Sequence, residues 1–170
     1  MAPFIIRQEQ ADDIAAIYRL NCAAFDTAAE AELVDRLREA ADPFLSLLAE
    51  QDDQLIGHLL LTPVTLDSNP ELRLMGLAPM AVLPEQQRRG VGRALIEAGL
   101  ACCRDLNIGA VVVLGHPDYY PRFGFAPSAD YGIDSDYDVP AEAFMLQELI
   151  PAYLGGQQGR IHYHPVFAGL

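Results

Sequence analysis

A chain of 170 residues, half of them hydrophobic, with a formal net charge of −13, is long enough for one domain with a substantial core and too apolar to be disordered. The acidity argues against a nucleic-acid partner, whose phosphates need clustered Lys and Arg, and favours a cationic or neutral one by long-range attraction. No apolar run reaches membrane-spanning length and the start MAPFIIRQEQ lacks a basic-then-apolar leader pattern, so no membrane is expected and the cytoplasm is the default location.

Phe4 to Arg7 reads as a short apolar strand. Asp12 or Asp13 can open a helix in which Ile14, Ile17, Tyr18 and Phe25 fall at helical spacing. A second helix is predicted from Ala28 to Ala40, with Leu33, Val34 and Leu37 on one face. Phe44 to Glu50 and Leu55 to Leu66 are β-like runs separated by the turn Gln51-Asp52-Asp53-Gln54, and Leu72 to Val82 pairs back after the turn Asp67 to Pro70. A helix from Gly90 to about Leu106 offers Leu95, Ile96, Leu100 and Cys103 as a buried stripe, and Asn107-Ile108-Gly109 stops it. Ala110 to Leu114 is aliphatic and β-branched, as a strand buried on both faces would be. Strand, crossover helix and strand together imply a parallel pair. Tyr119 to Phe123 is a short helix or turn, and Phe125 begins another strand. Asp130 to Asp138 is acidic and turn-rich, and Phe144–Leu149 and Arg160–Phe167 are late strands around a Gly-rich loop. No repeat or linker interrupts the chain, so residues 1–170 are expected to form one α/β domain with a mixed sheet.

The chain is organised around Met75 to Leu95, MGLAPMAVLPEQQRRGVGRAL. An apolar strand ends at Val82 and Leu83, Pro84 stops it, and Gly90 and Gly92 stand where a helix begins. A helix N-terminus carries unpaired N–H groups and a partial positive charge. Glycines let an anion approach that backbone, and Arg88, Arg89 and Arg93 add cations. The P-loop pattern fails for want of its lysine and spacing; the dinucleotide pattern fails because its third glycine falls at Leu95. What fits is Gln87-Arg88-Arg89-Gly90-Val91-Gly92, which resembles the Q/R-x-x-G-x-G/A segment of the GNAT superfamily, the GCN5-related N-acetyltransferases. Downstream, Tyr120-Pro121-Arg122-Phe123-Gly124-Phe125 resembles that family's Y-x-x-x-G-F, and the order of elements resembles it from Phe4 to Phe125.

The resemblance implies a mostly antiparallel sheet with a splayed parallel strand pair, flanked by helices. It implies acetyl-CoA as acyl donor, with its pyrophosphate held by Gln87 to Arg93 and its pantetheine arm against the backbone of Met80, Ala81 and Val82, where a strand bulge leaves an N–H for the thioester oxygen. It also implies Tyr120 as the general acid that protonates the departing thiolate; a phenol is protonated at neutral pH and can donate. Tyr119 lacks the family spacing to Gly124, and Phe123 and Phe125 read as core.

The general base is left open between Glu32, on the helix where acceptor sites in this fold form, and His116, at the end of the central strand; a water chain is a third route. His58, within a strand, reads as structural. His162 and His164 share a strand face but lack a third metal ligand, and Cys22, Cys102 and Cys103 have no metal spacing, so no metal is expected. Asp130, Asp134, Asp136 and Asp138 read as a solvated loop without the EF-hand pattern. The leading reading is an N-acetyltransferase acting on a primary amine: a small metabolite, a polyamine-like cation, or a protein lysine or N-terminus. The alternative is a non-catalytic acyl-CoA sensor. Monomer and homodimer are both compatible with the letters.

Overall fold

The computed structural model describes residues 3–168. Short β1 (Ile5–Gln8) leads through a single 3-10 turn to α1 (Ile14–Ala24) and then α2 (Ala29–Ala40). Three strands follow, β2 (Leu45–Gln51), β3 (Gln54–Leu66) and β4 (Asn69–Val82). After α3 (Val91–Asp105) come β5 (Ala110–Leu114), β6 (Ala126–Pro127), β7 (Ile133–Ser135), β8 (Phe144–Glu148) and β9 (Gly159–His162). The main sheet runs β1-β2-β3-β4-β5-β8-β6, and β9 bridges β3 to β7. Its ladders are antiparallel except β4–β5, joined through α3, and the small β7–β9 contact.

The two sheet faces are covered by the two helical stripes the sequence offers. On one face Leu95, Ile96, Leu100 and Cys103 of α3 are buried with Leu47, Leu59, Leu61, Met75, Val111 and Val113. On the other, Ile17 of α1 and Leu33, Val34 and Leu37 of α2 cover Leu48 and Leu60. Each such aliphatic side chain removed from water stabilises the fold by about 1.5–3 kcal/mol. The α3 stripe approaches β3 closely because glycine faces it. A Cβ at Gly99 would stand 3.0 Å from Leu61 Cδ1, and one at Gly57 2.9 Å from Val91 Cγ1. That approach fixes the start of α3 against the strands.

Register along β3 and β4 shifts where the site lies. Leu59 pairs with Met80 but Leu61 with Leu77, so β4 carries one extra residue at Ala78 and Pro79. Proline has no N–H for a ladder, and a bulge is where a strand tolerates it. The extra residue lets Leu77 and Met80 both turn toward α3, while Ala78 faces the α1–α2 side. The parallel ladder to β5 ends at Leu77–Val113, so β4 and β5 diverge beyond the bulge.

A buried polar chain crosses the α1–α2 side. Ser46 Oγ donates to Glu9 Oε1 at 2.7 Å and meets His58 Nε2 at 2.9 Å, while His58 Nδ1 lies 3.3 Å from Asn21 Nδ2. Arg38 holds the same Glu9 carboxylate through Nε at 2.6 Å. His58 is fully buried, and that burial pushes its pKa down to about 4. Such an imidazole is neutral, as its structural reading requires.

Four sequence expectations are corrected. The run predicted as strand from Arg160 to Phe167 stops at His162, because Pro165 opens a 3-10 turn over Pro165–Phe167. The strand expected from Phe125 is only the pair Ala126–Pro127. The acidic stretch is not all turn: Ile133, fully sheltered, seats β7 beside β9. Phe25, expected within the first helix, is its C-terminal cap, extended at φ −116°.

Candidate active site

The divergence of β4 and β5 opens a cleft of about 680 Å³ lined by Met80, Val82, Gln86 to Arg88, Gly90 to Arg93, His116, Tyr119, Tyr120 and Arg122. Its floor at one end is the start of α3. The first intrahelical bond is Ala94 N–H to the Gly90 carbonyl, 3.0 Å, so the N–H groups of Val91, Gly92 and Arg93 emerge unpaired toward the cleft. Gly90 sits at φ +83°, a left-handed conformation that costs a side-chain-bearing residue about 1 kcal/mol or more. The Gln87 amide donates to the Val82 carbonyl at 3.3 Å and ties the turn back to β4. Arg88 lines the cleft without an ion-pair partner among the described residues, whereas Arg93 is paired with Glu97 at 2.9 Å. The helix dipole, the free amides and these guanidiniums together form an anion seat.

At the other end stand two tyrosines. Tyr120 opens a 3-10 turn over Tyr120–Phe123 and is 7% exposed. Its ring lies against Gly115, where any Cβ would collide with it, and edge-on to Phe125 at 5.8 Å. Burial, then the neighbouring Tyr119, pushes its pKa up to about 12, so it stands as a protonated donor. Gly124 ends that turn at φ +100°, which explains glycine at that place in Tyr120 to Phe125. Tyr119 reaches across to the anion seat: its hydroxyl is 3.0 Å from where a Gly92 Cβ would be. Arg122 stacks over the Tyr119 ring at 5.8 Å.

The structure brings together most of the residues singled out from the sequence and separates a few. Met80, Val82, Gln87, Arg88, Gly90, Val91, Gly92, Arg93, Tyr120 and His116 all line the cleft. Ala81 is buried opposite His58, so only its backbone can face a ligand. Arg89 is exposed beside the cleft without lining it. Glu32 is exposed on α2 and does not line the cleft; the carboxylate that turns inward on that helix is Glu30, with a buried Oε2 that has no hydrogen-bond partner among the described residues. Glu30 precedes Leu33 and Val34 by three and four residues and so shares their inward face. Arg122 was missed although it stands inside the Tyr120 to Phe125 segment. Among the described residues no three His, Cys, Asp or Glu side chains gather as metal ligands, and no helix is long and apolar enough to cross a membrane.

This geometry has relatives. Residues 5–128 match the family model for the acetyltransferase (GNAT) domain. The Escherichia coli K12 N-acetyltransferase YjhQ is 42% identical over 144 residues, 81% of this chain and 80% of that protein. The E. coli N-acetyltransferase YhbS is 34% identical over 164 residues, 96% of this chain and 98% of that one. The crystal structure of E. coli YhbS in complex with CoA superposes with a TM-score of 0.91, covering 98% of this chain and 93% of that chain. A Brucella melitensis GNAT acetyltransferase in complex with acetyl-CoA, 34% identical, gives 0.81 over 98% of this chain and 99% of that one.

Proposed function

The chain belongs to the GNAT acetyltransferases and is an acyltransferase enzyme; from that premise we propose that it moves an acetyl group from acetyl-CoA to a primary amine by direct attack. The observation that carries the reading is the wedge between β4 and β5, with unpaired α3 amides at one end and the buried Tyr120 phenol at the other. Two relatives of the same fold, solved with CoA or acetyl-CoA, support the choice of donor. The pyrophosphate sits on the N–H groups of Val91 to Arg93 with Arg88 alongside. The pantetheine arm lies along Met80 to Val82, and a backbone N–H at the bulge faces the thioester oxygen.

The neutral amine forms a bond to the thioester carbon, the oxyanion collapses and the C–S bond breaks. The leaving thiolate takes the Tyr120 proton. The one proton that the nitrogen sheds after attack leaves through His116 or water and restores Tyr120. The products are a substituted acetamide and CoA. His116 suits the relay because it lines the cleft, unlike Glu32. One domain, acting as monomer or homodimer, suffices for these roles.

Calorimetric titration with acetyl-CoA tests the seat. Micromolar binding is expected in the native chain and loss of it in an Arg89→Ala, Gly90→Asp double variant. An amine screen with thiol detection tests transfer. Absence of binding by both CoA and acetyl-CoA refutes the proposal, and binding without turnover of any amine points to the sensor alternative.

A further inference from the structure

The anion seat at the start of α3 has a second wall, built from the turn that follows β5. Tyr119, half-buried, lines the cleft together with Gly90, Val91 and Gly92. Its hydroxyl has no hydrogen-bond partner among the described residues. That hydroxyl stands 3.0 Å from the position of a Cβ on Gly92. Covalent geometry puts such a Cβ about 2.5 Å from its own nitrogen, so the hydroxyl and the Gly92 amide are no more than about 5.5 Å apart. One oxygen atom can accept from two donors at about 2.9 Å each, which spans up to about 5.8 Å. The Gly92 amide is among those that α3 leaves unpaired. A phosphate oxygen is therefore within reach of both.

The chain itself holds this hydroxyl in place. The Tyr119 ring meets Tyr120 and Phe123 edge to face, each at a centroid distance of 5.2 Å, and the Arg122 guanidinium lies over it at 5.8 Å. The main chain is fixed as well, because the Tyr119 and Tyr120 N–H groups both donate to the His116 carbonyl, at 3.1 and 3.4 Å. A side chain already ordered loses little freedom on binding. Burial raises the Tyr119 pKa and Arg122 offsets only part of this, so the hydroxyl keeps its proton at neutral pH and can donate. Arg122 lines the same cleft and makes no ion pair among the described residues. With Arg88 beside α3, each wall has an unpaired cation, which suits a ligand with two linked phosphates. The same contact explains glycine at 92. An alanine methyl would press on the hydroxyl at 3.0 Å, while the next atoms, Cε and Sδ of Met80, lie at an ordinary 3.7 and 3.9 Å.

We propose that Tyr119 and Arg122 are specificity residues for the acyl donor and close the seat over the diphosphate of CoA from the β5 side. Tyr119 donates a hydrogen bond to a phosphate oxygen shared with the Gly92 amide, and Arg122 adds its charge. The assignment rests on the acetyl-CoA reading above. It goes beyond it by selecting the nucleotide thioester over a phosphate-free pantetheine thioester, and by giving Tyr119 a role separate from that of Tyr120.

The test compares CoA, titrated by calorimetry, with pantetheine, measured as a competitor of CoA. The proteins are the native chain, Tyr119→Phe, Arg122→Gln, Gly92→Ala and the Gly92→Ala, Tyr119→Phe double variant. Tyr119→Phe and Arg122→Gln each weaken CoA about tenfold and leave pantetheine within twofold. The melting temperature of Tyr119→Phe stays at the native value, since the hydroxyl has no partner in the chain to lose. A merely structural tyrosine would not separate the two ligands. Gly92→Ala weakens CoA about tenfold in the native background and no more than twofold once the Tyr119 hydroxyl is gone, a non-additivity that requires the two groups to share one space. Additive losses, or CoA binding indifferent to Tyr119→Phe, refute the clamp and leave the acetyl-CoA reading intact. Equal losses of CoA and pantetheine also refute it, because the hydroxyl then serves the arm. A native chain that binds neither ligand refutes the acetyl-CoA reading and the clamp with it.

Discussion

Acidification should destabilise this protein well before its carboxylates titrate, and His58 is the reason. Its imidazole is fully buried between Ser46 and Asn21, and its pKa falls from an ordinary 6.5 to about 4. The unfolded chain therefore binds a proton at this site between those values while the folded chain does not, so stability is present above the unfolded pKa and is lost as pH falls. At pH 5 the unfolded imidazole is almost wholly protonated and the folded one roughly a tenth so. The difference between pH 7 and pH 5 amounts to about 2 kcal/mol by linkage, or about 4–8 °C in melting temperature for a chain of this size. Urea unfolding followed by circular dichroism at both pH values measures the loss. The same pair of titrations on His58→Gln, which cannot protonate, isolates it: the variant starts less stable but its pH 7 to pH 5 slope is flatter by about 2 kcal/mol. An identical slope in both proteins refutes the reasoning, as would an NMR titration of the His58 ring near 6.5.

Other outcomes follow from the same geometry. Tyr120→Phe should lower kcat by about 10²-fold or more, the ordinary worth of a positioned acid, with acetyl-CoA affinity retained in calorimetry. Gly115→Ala should act on the same step from a distance, because its methyl group collides with the Tyr120 ring; kcat falls and acetyl-CoA binding does not. Arg7 grips Asp13 with both nitrogens at 2.7 and 2.8 Å and holds that carboxyl below its usual range. This contribution is present above about pH 4 and is lost as pH falls through the depressed value, so Asp13→Asn should flatten the most acidic limb of the stability curve. Cys103 is buried with its thiol pushed up to about 12, and a thiol reagent should leave it unlabelled in the native protein and label it in denaturant.

The parts legible in the sequence were those with a period or a fixed spacing. The stripe Leu95, Ile96, Leu100 and Cys103 announced which face of α3 is buried, and Ala110 to Leu114 announced a central strand. The turn that opens α3 was legible because glycine at 90 and 92 has a steric cause. Glu30 and Glu32 differ by two residues, which on a helix means opposite sides, and the inward one could have been found from its spacing to Leu33 and Val34. Backbone devices were harder. No side chain encodes the register shift at the bulge, although Pro79 inside a strand pattern is a signal of one. Tyr163 was hidden for another reason: Arg160 to Phe167 alternates like a strand, and only Pro165 betrays that the chain leaves the ladder to lay an aromatic ring across Gly76.

The parting of β4 from β5 after Leu77 and Val113 leaves the end of β4, to Val82, without a ladder on its β5 side. A ligand with amide groups along an extended arm supplies what a strand would. It is then a folding partner as well as a reactant, and at a hundred times its dissociation constant it adds about 2.7 kcal/mol to the stability of the chain. Those amides of Met80 to Val82 that point away from β3 should therefore exchange their hydrogens fast in the empty protein and slowly in the filled one, while those of Leu47 to Ala49, laddered on both sides to β1 and β3, barely change. The donor's occupancy would be written into the rigidity of the sheet itself.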